Sequence, residues 1–484
     1  VSGKLQAKSD VSKDYMNNTD HFHFIGIGGI GMSSIAKIMR LQGYTISGCD
    51  TNVAQRTIKE LISLGCIITQ GHNQALCHDT SITTVVHSSA IQKNNPELIA
   101  AQTRNIPIVH RSIMLSKIMS AGKSIGVTGA HGKTTTTAMI GHILSHAAYN
   151  PTILVGGHIN AWSSNAHYAQ NDYIVAEVDE SDRSFLNIKP TIALVTNIDV
   201  EHLETYKDFD DIQTTFSTFL YGLPQNSVRI IGGDDIHLQN ICTHIPHISF
   251  GMHEQNDIRG TDIKLSSTGS NCTVYDSRIQ KTIGTLLLPV PGIHNILNAL
   301  GAITAALEIG IPFNIIATAL HTFESVDRRF TYKGLTATKA DVFDDYAHHP
   351  NEIKHTLTIA RARSKQKLIV IWQPHRYIRT ASLWDQFIQM FKASDLKTGD
   401  ILIITDIYPG PNEIPLPHIR AQDFAKTLQD TRPSFTVLYI PWDSSFTSLQ
   451  TLSESLSCPG DTIITLGAGS ITNFAHHLVT YYQN

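Results

Sequence analysis

The stretch Ser124-Ile-Gly-Val-Thr-Gly-Ala-His-Gly-Lys-Thr-Thr-Thr-Thr137 runs from an apolar, strand-like segment through a glycine-bearing turn into an amphipathic segment. Strand, tight turn and helix start in that order make an anion site. Gly129 and Gly132 let backbone N–H groups approach phosphate oxygens, and the helix N-terminus carries partial positive charge. His131 lies inside the turn, Lys133 can reach terminal phosphates, Thr134 offers a hydroxyl to magnesium, and Thr135 continues the first helical turn. The generic spacing G-x-x-x-x-G-K-[ST] is not met, because Val127 stands five residues before Gly132; the form present is T-G-A-H-G-K-T. The alternative is an ordinary strand-to-helix turn with a solvent lysine.

Around this stretch the chain has the composition of a soluble enzyme. Its 484 residues, 42% hydrophobic and 16% charged with a formal net charge of -4, suit roughly three domains. No basic block suggests a nucleic-acid partner. The cysteines at 49, 66, 77, 242, 272 and 458 form no C-x-x-C pair, which fits reduced thiols in the cytoplasm, and His72, Cys77 and His78 lack a second half with zinc spacing. No segment offers about 18 uninterrupted apolar residues, so neither export nor a membrane span is expected. Residues 1–19 are polar and are expected to form a flexible extension.

Short apolar runs such as Ile174-Val-Ala, Ile192-Ala-Leu-Val, Leu368-Ile-Val-Ile, Ile401-Leu-Ile-Ile and Thr462-Ile-Ile alternate with helix-period segments. That is the α/β pattern of mostly parallel sheets, in which ligands bind beyond the carboxyl ends of the strands. The polar motifs nearly all follow apolar runs. Three domains are expected: residues 20–120 and 327–484 Rossmann-like, and 121–326 a P-loop ATPase-like domain with a small antiparallel addition between Val228 and Val290.

Gly26, Gly28 and Gly31 satisfy G-x-G-x-x-G after an apolar strand, with Gly29 in the same turn and Asp50 downstream. The pattern admits NAD, and it equally admits the diphosphate of a UDP-sugar. Asn295 and Asn298, after Pro291-Gly292, carry amides that both donate and accept, as adenine recognition needs; the alternative is a helix start. Tyr346, His348, His375, Arg376 and Arg379 cluster at two strand ends, and arginine forks suit carboxylates and phosphates.

These blocks, in this order, resemble the Mur ligases: His23-Phe-Ile-Gly-Ile-Gly-Gly-Ile-Gly-Met-Ser33, the T-G-A-H-G-K-T turn, Ala176-Glu-Val-Asp-Glu-Ser-Asp182, Asn197-Ile-Asp-Val-Glu-His202, Gly292-Ile-His-Asn-Ile-Leu-Asn298, Arg328-Arg-Phe330, Asp344-Asp-Tyr-Ala-His-His-Pro350, Gln373-Pro-His-Arg-Tyr-Ile-Arg-Thr380 and Gly467-Ala-Gly469. The likeness leaves out about the first twenty residues. It is greatest to the branch that joins L-alanine to UDP-N-acetylmuramate at the expense of ATP. The resemblance implies ATP and Mg2+ as cofactors, with Thr134, Glu177 and His202 as metal ligands. It implies ATP contacts from Gly129, His131, Gly132, Lys133, Thr134, Thr135, Asn295, Asn298, Arg328 and Asp345. A UDP-sugar site would use Gly26, Gly28, Gly29, Gly31, Asp50, Ser88, Ser89 and Arg111, with His110 beside them. Tyr346, His348, His375, Arg376 and Arg379 would take the amino acid, with Lys133, His348, Arg376 and Arg379 serving catalysis. Glu201 stands where the family commonly carries Asp. Expected partners are the two substrates alone, the chain being a monomer or weak homodimer. A nearby alternative is the cell-wall recycling branch, which attaches a tripeptide to the same acceptor; an NAD-dependent oxidoreductase is the distant one.

Overall fold

The computed structural model describes residues 19–73, 78–159, 162, 164–410 and 413–480. The expected extension at residues 1–18 and Cys77 lie outside the described residues. The chain divides into two compact units, Val1–Met114 and Leu115–Asn484, the second of which carries two sheets.

In the first unit five parallel strands run in the order Ile67–Gln70, Thr45–Asp50, His21–Ile25, Thr84–His87, Ile108–His110. The first strand passes through the glycine turn into the helix Ile30–Leu41, as the fingerprint predicts. His21–Ile25 is buried throughout, and Ile25, Cys49, Val85, Leu98 and Ala101 form part of one core cluster.

The second unit opens with a ten-stranded sheet in the order Lys281–Leu288, Ser270–Asp276, Ile258–Leu265, Ile248–Gly251, Val228–Gly232, Ile192–Val195, Lys123–Thr128, Tyr173–Glu177, Thr152–Ile159, Ser164–His167. Its middle is parallel; Ile258–Leu265, Ser270–Asp276 and Lys281–Leu288 are the antiparallel addition, and Thr152–Ile159 also pairs antiparallel with Ser164–His167. The helices Lys133–His146 and Ile293–Ile309 pack on it through Ala138, Ile140, Ile143, Ile296, Ala299 and Ile303, all fully buried. Removing such a side chain from water stabilises the fold by about 1.5–3 kcal/mol when it is as large as Ile.

The third sheet runs Thr331–Leu335, Asp341–Asp345, Thr462–Leu466, Leu368–Trp372, Ile401–Ile404, Thr436–Tyr439, parallel except for its first strand. Its central strands are apolar on both faces because helices cover both. Trp372, wholly buried, is ringed by Phe387, Phe391 and Phe424 at 4.9–5.2 Å between centroids. No described helix is long and apolar enough to cross a membrane. Cys49, Cys66, Cys242 and Cys272 are buried free thiols and Cys458 an exposed one.

Candidate active site

The buried strand Lys123–Thr128 ends where the chain turns at Gly129, whose φ of +126° few side chains tolerate. A Cβ there would lie 2.3 Å from Thr196 Oγ1. The Ala130 N–H donates to the Asn197 carbonyl and the His131 N–H to Asn197 Oδ1, so the neighbouring strand end shapes the loop. The first bond of the helix is Thr136 N–H to the Gly132 carbonyl, which leaves the N–H groups of residues 132–135 at the open helix start.

Lys133 folds back over this loop. Its Nζ donates to the carbonyls of Gly129 (2.5 Å) and Ala130 (3.1 Å) and to Glu180 Oε1 at 2.8 Å. Burial works against its charge, but Glu180, Glu201 and Glu177 outweigh burial and hold the ammonium above its ordinary value. Glu177 ends the strand Tyr173–Glu177; it accepts the Gly156 N–H at 2.6 Å and a bond from the Thr134 hydroxyl. Burial pushes its carboxyl up. A hydroxyl and a carboxylate side by side beneath a phosphate loop are hard oxygen donors, so Thr134 and Glu177 fit magnesium.

His202, the third residue expected at the metal, stands with Glu180 and Glu201, its Nε2 3.5 Å from both carboxylates. Burial would lower its pKa, but bonds to Glu180 and Glu204 raise it to about 10. The longer side chain at Glu201 carries its buried carboxylate among His131, Arg379, His202 and His348, which outweigh burial and bring it down to about 2. His131 Nε2 contacts Asp199 Oδ2 at 3.0 Å and its Nδ1 lies 3.7 Å from Glu352; these two raise it to about 10 against the effect of burial.

Asn298 lies against the phosphate loop, its Oδ1 accepting from Thr136 Oγ1 at 3.4 Å, while Asn295 Nδ2 donates to the Pro291 carbonyl. The two adjacent arginines have different partners. Arg328, with φ +60°, spends Nη2 on the carbonyls of Gly467 (2.6 Å) and Gly469 (3.3 Å) and pairs with Asp344. Its neighbour Arg329, not singled out from the sequence, has Nη1 3.5 Å from Glu352; burial lowers its pKa, and the carboxylates around it, Glu352, Asp345 and Glu177, raise it. Asp345 accepts the Ala347 and Phe330 N–H groups and the Thr356 hydroxyl, and burial moves it up to about 6.

Two further residues escaped the sequence reading. Glu352 caps the helix Pro350–Arg363, accepting the N–H groups of His348 (3.1 Å) and His349 (3.3 Å). A proline followed two residues later by glutamate is the helix-start pattern that could have found it. Asp199, inside a motif already quoted, accepts Asn351 Nδ2 at 2.7 Å. Both connect the second sheet to the third.

Tyr346, His348, His375 and Arg379, expected from the sequence to take the amino acid, lie close together. The rings of Tyr346 and His348 meet edge to face at 5.2 Å, and those of His348 and His375 at 5.9 Å. Arg379 Nη1 lies 3.1 Å from His375 Nδ1, and Arg376, with φ +70°, pairs with Glu204. His202, Arg328 and Arg376 thus share a left-handed backbone that costs of order 1–3 kcal/mol per residue and concentrates at working sites. Burial lowers His348 to about 4, so the ring is neutral; Nδ1–H donates to the Tyr346 carbonyl at 3.0 Å, which leaves Nε2 as the acceptor.

In the first unit the turn is closed by its own bonds. Asp50 Oδ2 accepts the Gly28 N–H at 2.8 Å, and the Gly29 N–H returns to the Gly26 carbonyl. The Arg111 guanidinium lies beside Gly31 at the helix start. Ser89 Oγ is 3.0 Å from His110 Nε2, and Ser88 follows the strand Thr84–His87.

Three family descriptions match in succession: Mur ligase family, catalytic domain over residues 21–123; Mur ligase middle domain over 127–306; and Mur ligase, glutamate ligase domain over 328–469. A UDP-N-acetylmuramate–L-alanine ligase of Desulforapulum autotrophicum is 40% identical over 462 residues, 95% of this chain and 98% of the relative. The chain belongs to the Mur ligase family. The namesake from Solidesulfovibrio magneticus is 38% identical over 464 residues, again 95% and 98% of the two chains. Among solved structures, the UDP-N-acetylmuramate–alanine ligase MurC of Thermotoga maritima matches with a TM-score of 0.79 and 26% identity, covering 96% of this chain and 99% of its own. A murein peptide ligase of Psychrobacter arcticus shares the fold at TM-score 0.70 and 22% identity, over 95% and 98%. As a Mur ligase the chain is an ATP-dependent, ADP-forming ligase, and the glycine turn that admitted NAD lies within the residues matched to that family.

Proposed function

We propose that the chain joins L-alanine to the lactyl carboxylate of UDP-N-acetylmuramate, converting ATP to ADP and phosphate. The observation that carries this reading is the meeting of the phosphate loop with the arginine–histidine cluster of the third sheet, in a chain whose relatives bear that activity in their names. A carboxylate is a poor electrophile, so phosphoryl transfer first makes an acyl phosphate, which the amine then attacks. Lys133 exchanges its loop carbonyls for phosphate oxygens and offsets charge on the transferring group. The open helix start at residues 132–135 receives the phosphates, and Asn298 backs the loop. Arg329 approaches the nucleotide from the third sheet, whereas Arg328 holds the Gly467–Gly469 turn.

Thr134 and Glu177 would hold Mg2+, and His202 would join them only on giving up the proton that its carboxylate neighbours stabilise; the ion would neutralise phosphate charge. Arg376 and Arg379 bind the alanine carboxylate, and the neutral His348 presents Nε2 to the amine. Gly26, Gly28, Gly29 and Gly31, with Ser88, Ser89 and Arg111, hold the UDP-sugar in the first unit, and Asp50 braces the turn by taking the Gly28 N–H. The reading goes with a protein of the cytoplasm, and no described helix is long and apolar enough to cross a membrane.

Phosphate release from ATP and UDP-N-acetylmuramate, with alanine present or left out, tests the proposal. Alanine-dependent release is the expected result. Glycine should be used about 10–200-fold less well in kcat/KM, the worth of one methyl contact. Preference for a tripeptide beginning with L-alanine would move the chain to the recycling reaction.

A further inference from the structure

Glu204, to which the reading above gives no role, stands where the second sheet meets the third. It follows His202 in the loop after the strand Ile192–Val195, and its Oε1 accepts a hydrogen bond from Arg376 Nη1. His202 Nδ1 lies 3.6 Å from the same oxygen. Both members of the Glu204–Arg376 pair are about one-third exposed, so the pair stands at a rim. Beside it is a cavity lined by Glu201, His202, Glu204, Ile378, Arg379 and Leu383. Its lining combines the Glu201 and Glu204 carboxylates, the Arg379 guanidinium from the helix that Arg376 caps, and apolar carbon from Ile378 and Leu383. That is the complement of a small α-amino acid: carboxylate to guanidinium, ammonium to carboxylate, methyl to Ile378 and Leu383. The cavity volume is about 10 Å3, room for one water, so Glu204 on its wall must shift from its present place against Arg376 for anything larger to enter.

We propose that Glu204 binds the ammonium of the incoming amino acid: its carboxylate takes at Arg376 the place of the substrate's own carboxylate, and binding exchanges this internal ion pair for two pairs with the substrate. The exchange leaves neither partner unpaired, which makes it cheap although both charges are partly desolvated. It also demands an amine and a carboxylate on one carbon. The inference rests on the alanine-adding reaction proposed above.

The test uses the full chain with Glu204→Gln and Glu204→Asp. Steady-state ADP formation with L-alanine is compared with hydroxamate formation from hydroxylamine, a neutral nucleophile that traps the acyl phosphate and reads the first half of the reaction alone. Glu204→Gln is expected to raise KM for L-alanine about tenfold or more, with KM for ATP within about twofold and the hydroxamate signal still present, and Glu204→Asp to recover part of the loss. An unchanged KM for alanine overturns the assignment. So does loss of the hydroxamate signal in Glu204→Gln, which would place the residue in the ATP half or in folding. A wild-type chain that yields hydroxamate but no Glu204 effect removes this inference alone; one that yields neither hydroxamate nor alanine-dependent ADP overturns the proposed function with it.

Discussion

Lys133 and Glu180 illustrate how the cation proposed to act on phosphate is held. Glu180 is 3% exposed, and its Oε1 holds Nζ at 2.8 Å, so Lys133→Ala removes charge from the reaction and also strands a buried carboxylate. Turnover should fall at least about 10²-fold, with a lowered Tm. Adding Glu180→Gln to Lys133→Ala should restore Tm but not ADP formation; recovery of both would remove Lys133 from the chemistry. The two arginines should separate in the same way. Arg329→Lys keeps the charge but loses the fork, and is expected to lower kcat/KM for ATP about tenfold or more at unchanged Tm. Arg328→Lys, which loses bonds to Gly467 and Gly469, should show itself in Tm. His131 carries a pH dependence. Its folded pKa of about 10 lies above its ordinary 6.5, so the stability it contributes is fully present below about pH 6.5 and is lost as pH rises towards 10. The slope is at most about 1.4 kcal/mol per pH unit. Urea midpoints of wild type and His131→Gln between pH 7 and 10 check this, and the variant should give the flatter curve.

At the scale of elements, function collects where strands end. Thr128, Glu177 and Val195 close neighbouring parallel strands of the second sheet, and Asp345, Trp372 and Leu466 do so in the third. Side chains in the loops that follow converge because the strand register brings those ends together. Gly129→Ala is the sharpest test of the phosphate loop, since both φ and the contact with Thr196 oppose a side chain. Calorimetric titration with ADP should show affinity reduced by about 1–3 kcal/mol, the usual size of such backbone strain. The apolar runs at Ile174, Ile192, Leu368, Ile401 and Thr462 are strands, as read from the sequence, because a strand buried on both faces must be continuously apolar. The antiparallel addition after Val228 was equally legible from its turn residues, although Val228–Gly232 and Ile248–Gly251 themselves pair parallel.

Across the whole of the second unit, the two sheets are joined by polar groups: Asn351 to Asp199, His131 to Glu352, Arg376 to Glu204. Such contacts can open and re-form, which an amino-acid site under a reactive acyl phosphate requires. Asn351→Asp would set a second carboxylate against Asp199 where a 2.7 Å hydrogen bond now stands. It should lower kcat/KM for alanine about tenfold while leaving ADP affinity in titrations unchanged; loss of ADP binding would show that Asp199 serves the nucleotide instead. By itself the sequence determined the α/β class, the strand positions, the phosphate loop and the clustering of Tyr346, His348, His375, Arg376 and Arg379, because glycine turns, apolar runs and basic motifs are local and each carries its own chemistry. Only the tertiary structure decided what Arg328, Arg329, Asp199, Glu180 and Glu352 each hold, and that Glu204 meets Arg376. Adjacent arginines and scattered carboxylates look alike in a sequence; Lys133–Glu180, Asn351–Asp199 and Arg376–Glu204 join residues 47, 152 and 172 positions apart, brought near only when the chain has folded.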